Sequence, residues 1–199
     1  PAGDGSREFL SEWGYVFRNL DDGTLGLPNR PPLSGGEGGK GGEEGEAGKR
    51  MDAFRAPPLD TRRRFRGLSA FLAASPGYYR LAMAMINGFT TYTFLRGFDN
   101  AMTDLFDDSG RFTRLLDKVF AWEKAMITRC ARAGFHGYHI GDDWGTQHAL
   151  LIAPDMWRRI FLPRYRDLAG HAHRQGLHIW FHSCGNITAI IPDLYEAGV

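Results

Sequence analysis

Two side chains that commonly bind metal ions lie two residues apart in the segment LHIWFHSCGN, at 177–186. The apolar residues at its start predict a buried strand, and His182 and Cys184 follow at the end of that strand. Residues i and i+2 of a strand point to the same side, so the imidazole and the thiol could converge on zinc or a similar ion. The alternative is a hydrogen-bonded core histidine beside a small buried cysteine.

A second polar cluster lies in GYHIGDDWG, at 137–145, where a predicted strand leads into an acidic loop. Asp142 and Asp143 could bind a cation, orient a base or contact a cationic substrate, or they could simply cap a helix or belong to a loop. Adjacent strand residues face opposite sides, so we expect only one of them to enter a pocket. In the same loop, Trp144 is a candidate pocket wall and Gln147 a candidate substrate-binding side chain; loop packing is the alternative for both.

The elements that would position these clusters alternate along the chain. Strands are predicted at 80–87, in the first part of 137–145 and at 177–182. Helices are predicted at 60–74, 93–107, 111–133, 155–175, with Pro163 kinking or splitting it, and 187–197. This order predicts parallel βαβ units, in which ligands bind at the carboxyl ends of the strands. Both clusters fall at such ends. The expected fold class is therefore α/β, as an incomplete (β/α)8 TIM barrel, with an open sheet as the alternative.

The chain divides by composition into three parts. Residues 1–33 predict an N-terminal arm or hairpin of the barrel domain, with a turn at Asp22-Gly23. Residues 34–50, SGGEGGKGGEEGEAGKR, contain no apolar residue larger than Ala47, so burial cannot offset their ordering entropy and a disordered insertion is expected. Residues 51–199 are predicted to form the partial barrel.

Composition excludes several other classes of protein. The formal net charge of +1 gives no indication of a nucleic-acid or membrane partner, and no apolar run reaches the length of a membrane span. The two cysteines do not form a disulfide pattern, and Cys130 falls on the apolar stripe of a helix. A cytoplasmic protein with a small-molecule substrate is the default expectation. Because Pro1 replaces a starting methionine and the chain stops at Val199, where a strand should begin, we expect a piece of a longer protein.

Several motifs together resemble the uroporphyrinogen decarboxylase superfamily, which also contains cobalamin-dependent methyltransferases. They are GDDWGTQ at 141–147, FLPRY at 161–165, HSCGN at 182–186 and IPDL at 191–194, with weaker similarity at 11–18 and 94–108. The resemblance is closest to the uroporphyrinogen-decarboxylase-like members. It implies a (β/α)8 barrel whose site lies at the strand ends.

The methyltransferase branch implies a specific metal site. Its zinc is held by an H-x-C pair, which His182 and Cys184 match, and by a more distant cysteine, which would lie beyond Val199. The implied reaction moves a methyl group between a corrinoid, carried on a partner protein, and a thiol or similar acceptor. Asp142 or Asp143 would act beside the metal.

Two alternative functions remain open. The first is tetrapyrrole decarboxylation in porphyrin biosynthesis, a lyase reaction that needs no metal. The Arg-rich segment and the pyrrole-binding aspartate of true decarboxylases cannot be placed here, and H-S-C-G is not expected in them. The second is a non-catalytic barrel that binds a corrinoid or another ligand.

Overall fold

The computed structural model describes residues 6–19, 26, 28–35, 41–59, 64–74 and 76–199. The chain separates into two units, one comprising residues 1–57 and 90–118 and the other residues 58–89 and 119–199. Among the described residues, none of the helices is both long enough and apolar enough to cross a bilayer.

The first unit contains an antiparallel sheet. Strands β1 (Arg7–Leu10), β2 (Val16–Asn19) and β3 (Pro28–Arg30) pair in the order β1-β2-β3. These strands lie in the segment predicted to be an arm or hairpin, and the predicted turn at Asp22-Gly23 lies outside the described residues. Tyr15, which follows the first turn, is buried and packs edge-to-face against Phe94 at 5.4 Å between ring centroids.

The disordered insertion predicted for residues 34–50 is wrong over 41–50, which form most of helix α1 (Gly41–Ala53). Ala47 and Met51, four residues apart and therefore on one helix face, are both buried. Lys118 donates hydrogen bonds to backbone carbonyls at the end of this helix, including that of Met51. The composition argument failed because Met51, which supplies the burial, lies just outside the low-complexity run. Residues 36–40 lie outside the described residues.

The second unit contains the parallel sheet that positions both polar clusters. Strands β4 (Leu81–Met83), β5 (Gly137–Gly141) and β6 (His178–His182) pair in the order β4-β5-β6, with Gly141 opposite His182. The predicted α/β class and three strands are confirmed, but β4 is much shorter than the strand predicted at 80–87. Three strands do not establish an eight-stranded barrel, so barrel closure stays a prediction.

The helices follow the predicted order but differ in extent. Among the described residues, the helix expected at 60–74 is helical only over Leu68–Ala73, and the one expected at 187–197 begins as a 3-10 turn. The helix expected at 93–107 is divided at Gly97, whose φ of 81° does not fit a right-handed helix. The helix expected at 155–175, with Pro163 kinking or splitting it, does divide, at Phe161, two residues before that proline. The remaining helices are α2 (Leu68–Ala73), α3 (Gly88–Arg96), α4 (Phe98–Asp104), α5 (Arg111–Arg132), α6 (Pro154–Ile160), α7 (Leu162–Arg174), a 3-10 turn (Thr188–Ile190) and α8 (Ile191–Ala197).

Candidate metal centre

The loops that follow β5 and β6 are joined by backbone hydrogen bonds. The Asp142 amide donates to the His182 carbonyl and the Gly145 amide to the Cys184 carbonyl, both at 3.0 Å. Gly185 has a φ of 78°, and a Cβ atom there would collide with the Gly145 backbone. Glycine at both positions lets the two loops approach closely enough for the polar clusters to meet.

Three exposed side chains converge where these loops begin. His182 Nε2 lies 3.5 Å from Cys184 Sγ and 3.8 Å from Asp143 Oδ1. One potential ligand atom from each of the three residues lies within 4.8 Å of the other two. We call Asp143, His182 and Cys184 the ligand trio. The convergence of His182 and Cys184 expected from their spacing is therefore present, although β6 ends at His182.

The carboxylate of Asp143 is directed at Cys184. Its Oδ1 accepts a hydrogen bond from the Cys184 amide at 2.8 Å. Desolvation of the sulfur, together with the hydrogen bond and negative charge of Asp143, raises the pKa of the Cys184 thiol. By itself, then, the trio favours a protonated cysteine, and a cation would have to displace that proton in order to bind sulfur as thiolate.

The trio fits a zinc-type ion. Imidazole, thiolate and carboxylate are all zinc ligands, and their bonds to zinc are about 2.0–2.3 Å long. Ligand atoms 3.5 and 3.8 Å apart can therefore share one ion. Three protein ligands also leave a tetrahedral ion with one open position, which is the arrangement of catalytic rather than structural zinc.

Asp142 lies in the interior, although it is adjacent to exposed Asp143. Its carboxylate accepts hydrogen bonds from the Phe89 amide, at 2.9 Å, and from the Tyr165 hydroxyl. Its relative exposure is 0%, so it cannot touch a substrate in this conformation. The expectation that only one aspartate enters the site agrees with the structure, and that aspartate is Asp143. The catalytic role predicted for Asp142 is corrected to a structural one.

The loop residues predicted to bind substrate occupy different environments. Trp144 is fully buried, stacks on Phe89 at 5.0 Å, and donates from its indole nitrogen to the Tyr165 hydroxyl at 2.8 Å. It is a core residue and not an open pocket wall, because the loop turns its large ring inward. Gln147 is exposed, and its substrate-binding role stays a prediction.

A second buried carboxylate escaped the sequence analysis. Glu123 on α5 is 1% exposed, and its Oε1 accepts a hydrogen bond from the Gly88 amide at 2.5 Å. Burial raises the pKa of Glu123 to about 8, and the charge of Asp142 adds to the shift. The signal was present in the helical pattern, because Glu123 lies between the buried residues Val119 and Ile127 at spacings of four.

These features define an α/β protein with a polar site at the carboxyl ends of parallel strands, the usual position of active sites in such folds. The family model for uroporphyrinogen decarboxylase (URO-D) matches residues 70–199. The chain therefore belongs to the uroporphyrinogen decarboxylase family.

A solved structure of similar fold is a methyltransferase from Methanosarcina mazei, with a TM-score of 0.56 and 18% sequence identity. The alignment covers 66% of this chain and 37% of that one, so the matched part spans little more than a third of the methyltransferase. No curated protein sequence matches the chain significantly.

Proposed function

We propose that this protein is a zinc-dependent methyltransferase of the uroporphyrinogen decarboxylase family, built on a (β/α)8 barrel. The observation that carries the proposal is the ligand trio, because it gathers an imidazole, a thiol and a carboxylate at the strand ends. Membership of the family and structural similarity to a methyltransferase support the same reading.

His182, Cys184 and Asp143 would hold the metal. Bound zinc would lower the pKa of an acceptor thiol, so that the acceptor reacts as a thiolate. The protein's own contribution is positional: paired backbones hold the two loops together, and Asp143 fixes the Cys184 amide. A corrinoid on a partner protein would donate or receive the methyl group.

The first experiment measures metal content in protein exchanged with zinc and then dialysed. We expect about one zinc per chain, its loss in Cys184→Ser, and its retention in Cys130→Ser. Cys130 is a matched control because it is the other cysteine of the chain and is buried on α5, where burial raises its pKa to about 11. Circular dichroism would establish that each variant is folded.

Activity separates the proposal from its alternatives. Zinc-loaded protein should transfer the methyl group of methylcobalamin to a small thiol, and Cys184→Ser should not. A metal-free protein that decarboxylates a porphyrinogen would contradict the proposal and favour the lyase. A zinc-binding protein inactive in both assays would favour a ligand-binding barrel.

A further inference from the structure

A second histidine lies beside the ligand trio, which contains His182, on the open face of the parallel sheet. His139, on β5, stacks on His182, with ring centroids 6.1 Å apart and an angle of 26° between the rings. Gly141 follows two residues later on the same face and carries no side chain. No side chain of β5 therefore separates the His139 ring from the carboxyl end of the sheet, where the trio lies.

The hydrogen bond of His139 determines what its ring offers to a ligand. Nδ1 lies 3.0 Å from the carbonyl oxygen of Ala84. Since a carbonyl can only accept, Nδ1 must carry the proton of this bond, and the neutral ring then presents Nε2 as an acceptor. Nε2 has no partner among the described residues. The Ala84 contact thus fixes both the tautomer and the orientation of the ring.

The neighbours of His139 on this face are apolar. Strand register places it in one row with Met83 and Trp180. Their relative exposures are 64% and 52%, so both present open apolar surface on either side of the imidazole. The row therefore offers one hydrogen-bond acceptor between a thioether and an indole, next to the trio.

We propose that His139 is a specificity-determining residue, which accepts a hydrogen bond from a hydroxyl or amino group on the body of the acceptor thiol. This inference rests on the proposed function, since it assumes that the acceptor's sulfur lies at the trio. The substrate class is then a small aliphatic thiol with a hydrogen-bond donor a few bonds from sulfur. The distance of 6.1 Å between the His139 and His182 rings determines how far the donor group must lie from the sulfur.

The test uses cobalt in place of zinc, because thiolate binding to Co²⁺ produces an absorbance band in the near ultraviolet. The probes are 3-mercaptopropan-1-ol and butane-1-thiol, which are similar in length and differ in whether the chain ends in a hydroxyl or a methyl group. We expect cobalt-loaded protein to bind the hydroxylated thiol about 3- to 10-fold more tightly, the range for one net hydrogen bond. His139→Phe should abolish this preference while the cobalt stoichiometry stays unchanged.

Two further variants make the result specific. His139→Gln retains a polar group near the position of Nε2 and should keep part of the preference. His178→Phe removes an imidazole from the same face of β6, four residues and about 13 Å from His182, and should keep all of the preference.

Equal affinity of the cobalt-loaded protein for the two thiols would overturn the inference and leave the proposed function standing. Loss of cobalt from His139→Phe would also overturn it, because His139 would then act on the metal. A protein that binds no cobalt would instead remove the proposed function itself.

Discussion

Asp142 and Asp143 are chemically identical neighbours with opposite environments. Asp142 is fully buried and accepts hydrogen bonds from the Phe89 amide and the Tyr165 hydroxyl. The Asp143 side chain is 49% exposed and faces His182 and Cys184. A single peptide step thus separates a carboxylate that stabilises the fold from one available to a ligand. The direction of each side chain, and not its type, decides between these two roles.

The buried carboxylates of Glu123 and Asp142 stabilise the beginning of α3. The first amides of a helix have no partner within the helix. Glu123 accepts from the Gly88 amide and Asp142 from the Phe89 amide. The helix dipole also favours the negative charge of Asp142 near this N-terminus. These two carboxyl groups therefore stabilise the fold, whereas substitutions in the exposed trio should affect the stability of the fold little.

The largest effect on stability is expected for a substitution of the buried Asp142. Asp142→Ala removes the acceptor of two buried donors, and we expect it to lower the free energy of unfolding by about 2–4 kcal/mol. Urea denaturation monitored by circular dichroism measures this change. The matched control is Asp143→Ala, which alters the next residue. Equal losses in the two variants would show that the contrast between the aspartates has been misread.

Glu123→Gln tests the buried region through pH. The pKa of about 8 in the folded protein lies above the usual value near 4.5, so the folded state binds the proton more tightly than the unfolded state. The contribution of Glu123 to stability should therefore be largest below pH 4.5 and should decline as pH rises toward 8, by at most about 1.4 kcal/mol per pH unit.

The glutamine variant cannot titrate and should lack this decline between pH 5 and 8. Chemical denaturation at several pH values measures it. Glu196→Gln, at an exposed position of α8, provides the control and should keep the wild-type slope. An unchanged slope in Glu123→Gln would place the titrating group elsewhere.

The smallest effect on stability is expected for a substitution in the exposed ligand trio. Asp143→Asn should change the free energy of unfolding of the metal-free protein by no more than about 0.5 kcal/mol. Its zinc affinity should fall by at least about tenfold, because an amide oxygen is a weaker ligand than a carboxylate. Competition with a chromogenic chelator measures the affinity. Unchanged affinity would remove Asp143 from the ligand set and leave only the His182–Cys184 pair.

Sequence reasoning reached the parallel strands and the meeting of the two polar clusters, because alternating strands and helices constrain both. It reached the pairing of His182 with Cys184 because strand periodicity sets that geometry. It could not determine whether Asp142 or Asp143 faces the site. Adjacent strand residues face opposite sides, so an error of one residue in the predicted end of β5 reverses the directions of the two side chains. It mistook Trp144 for a pocket residue, since the inward turn of its loop depends on packing against Phe89. The helical pattern could have indicated that Glu123 is buried, but its hydrogen bond from the Gly88 amide depends on contact between distant segments.

The crossing of the loops at Gly145 and Gly185 has a consequence for entropy. Atoms that must be gathered from separate mobile segments lose conformational freedom when an ion binds, whereas here the backbone bonds restrict that freedom when the chain folds. The trio is thus a preorganised set of potential metal ligands. An ion that binds the folded trio and not the unfolded chain would raise the melting temperature in proportion to the logarithm of the ion concentration. Thermal denaturation at several ion concentrations would therefore measure the affinity of the trio for that ion.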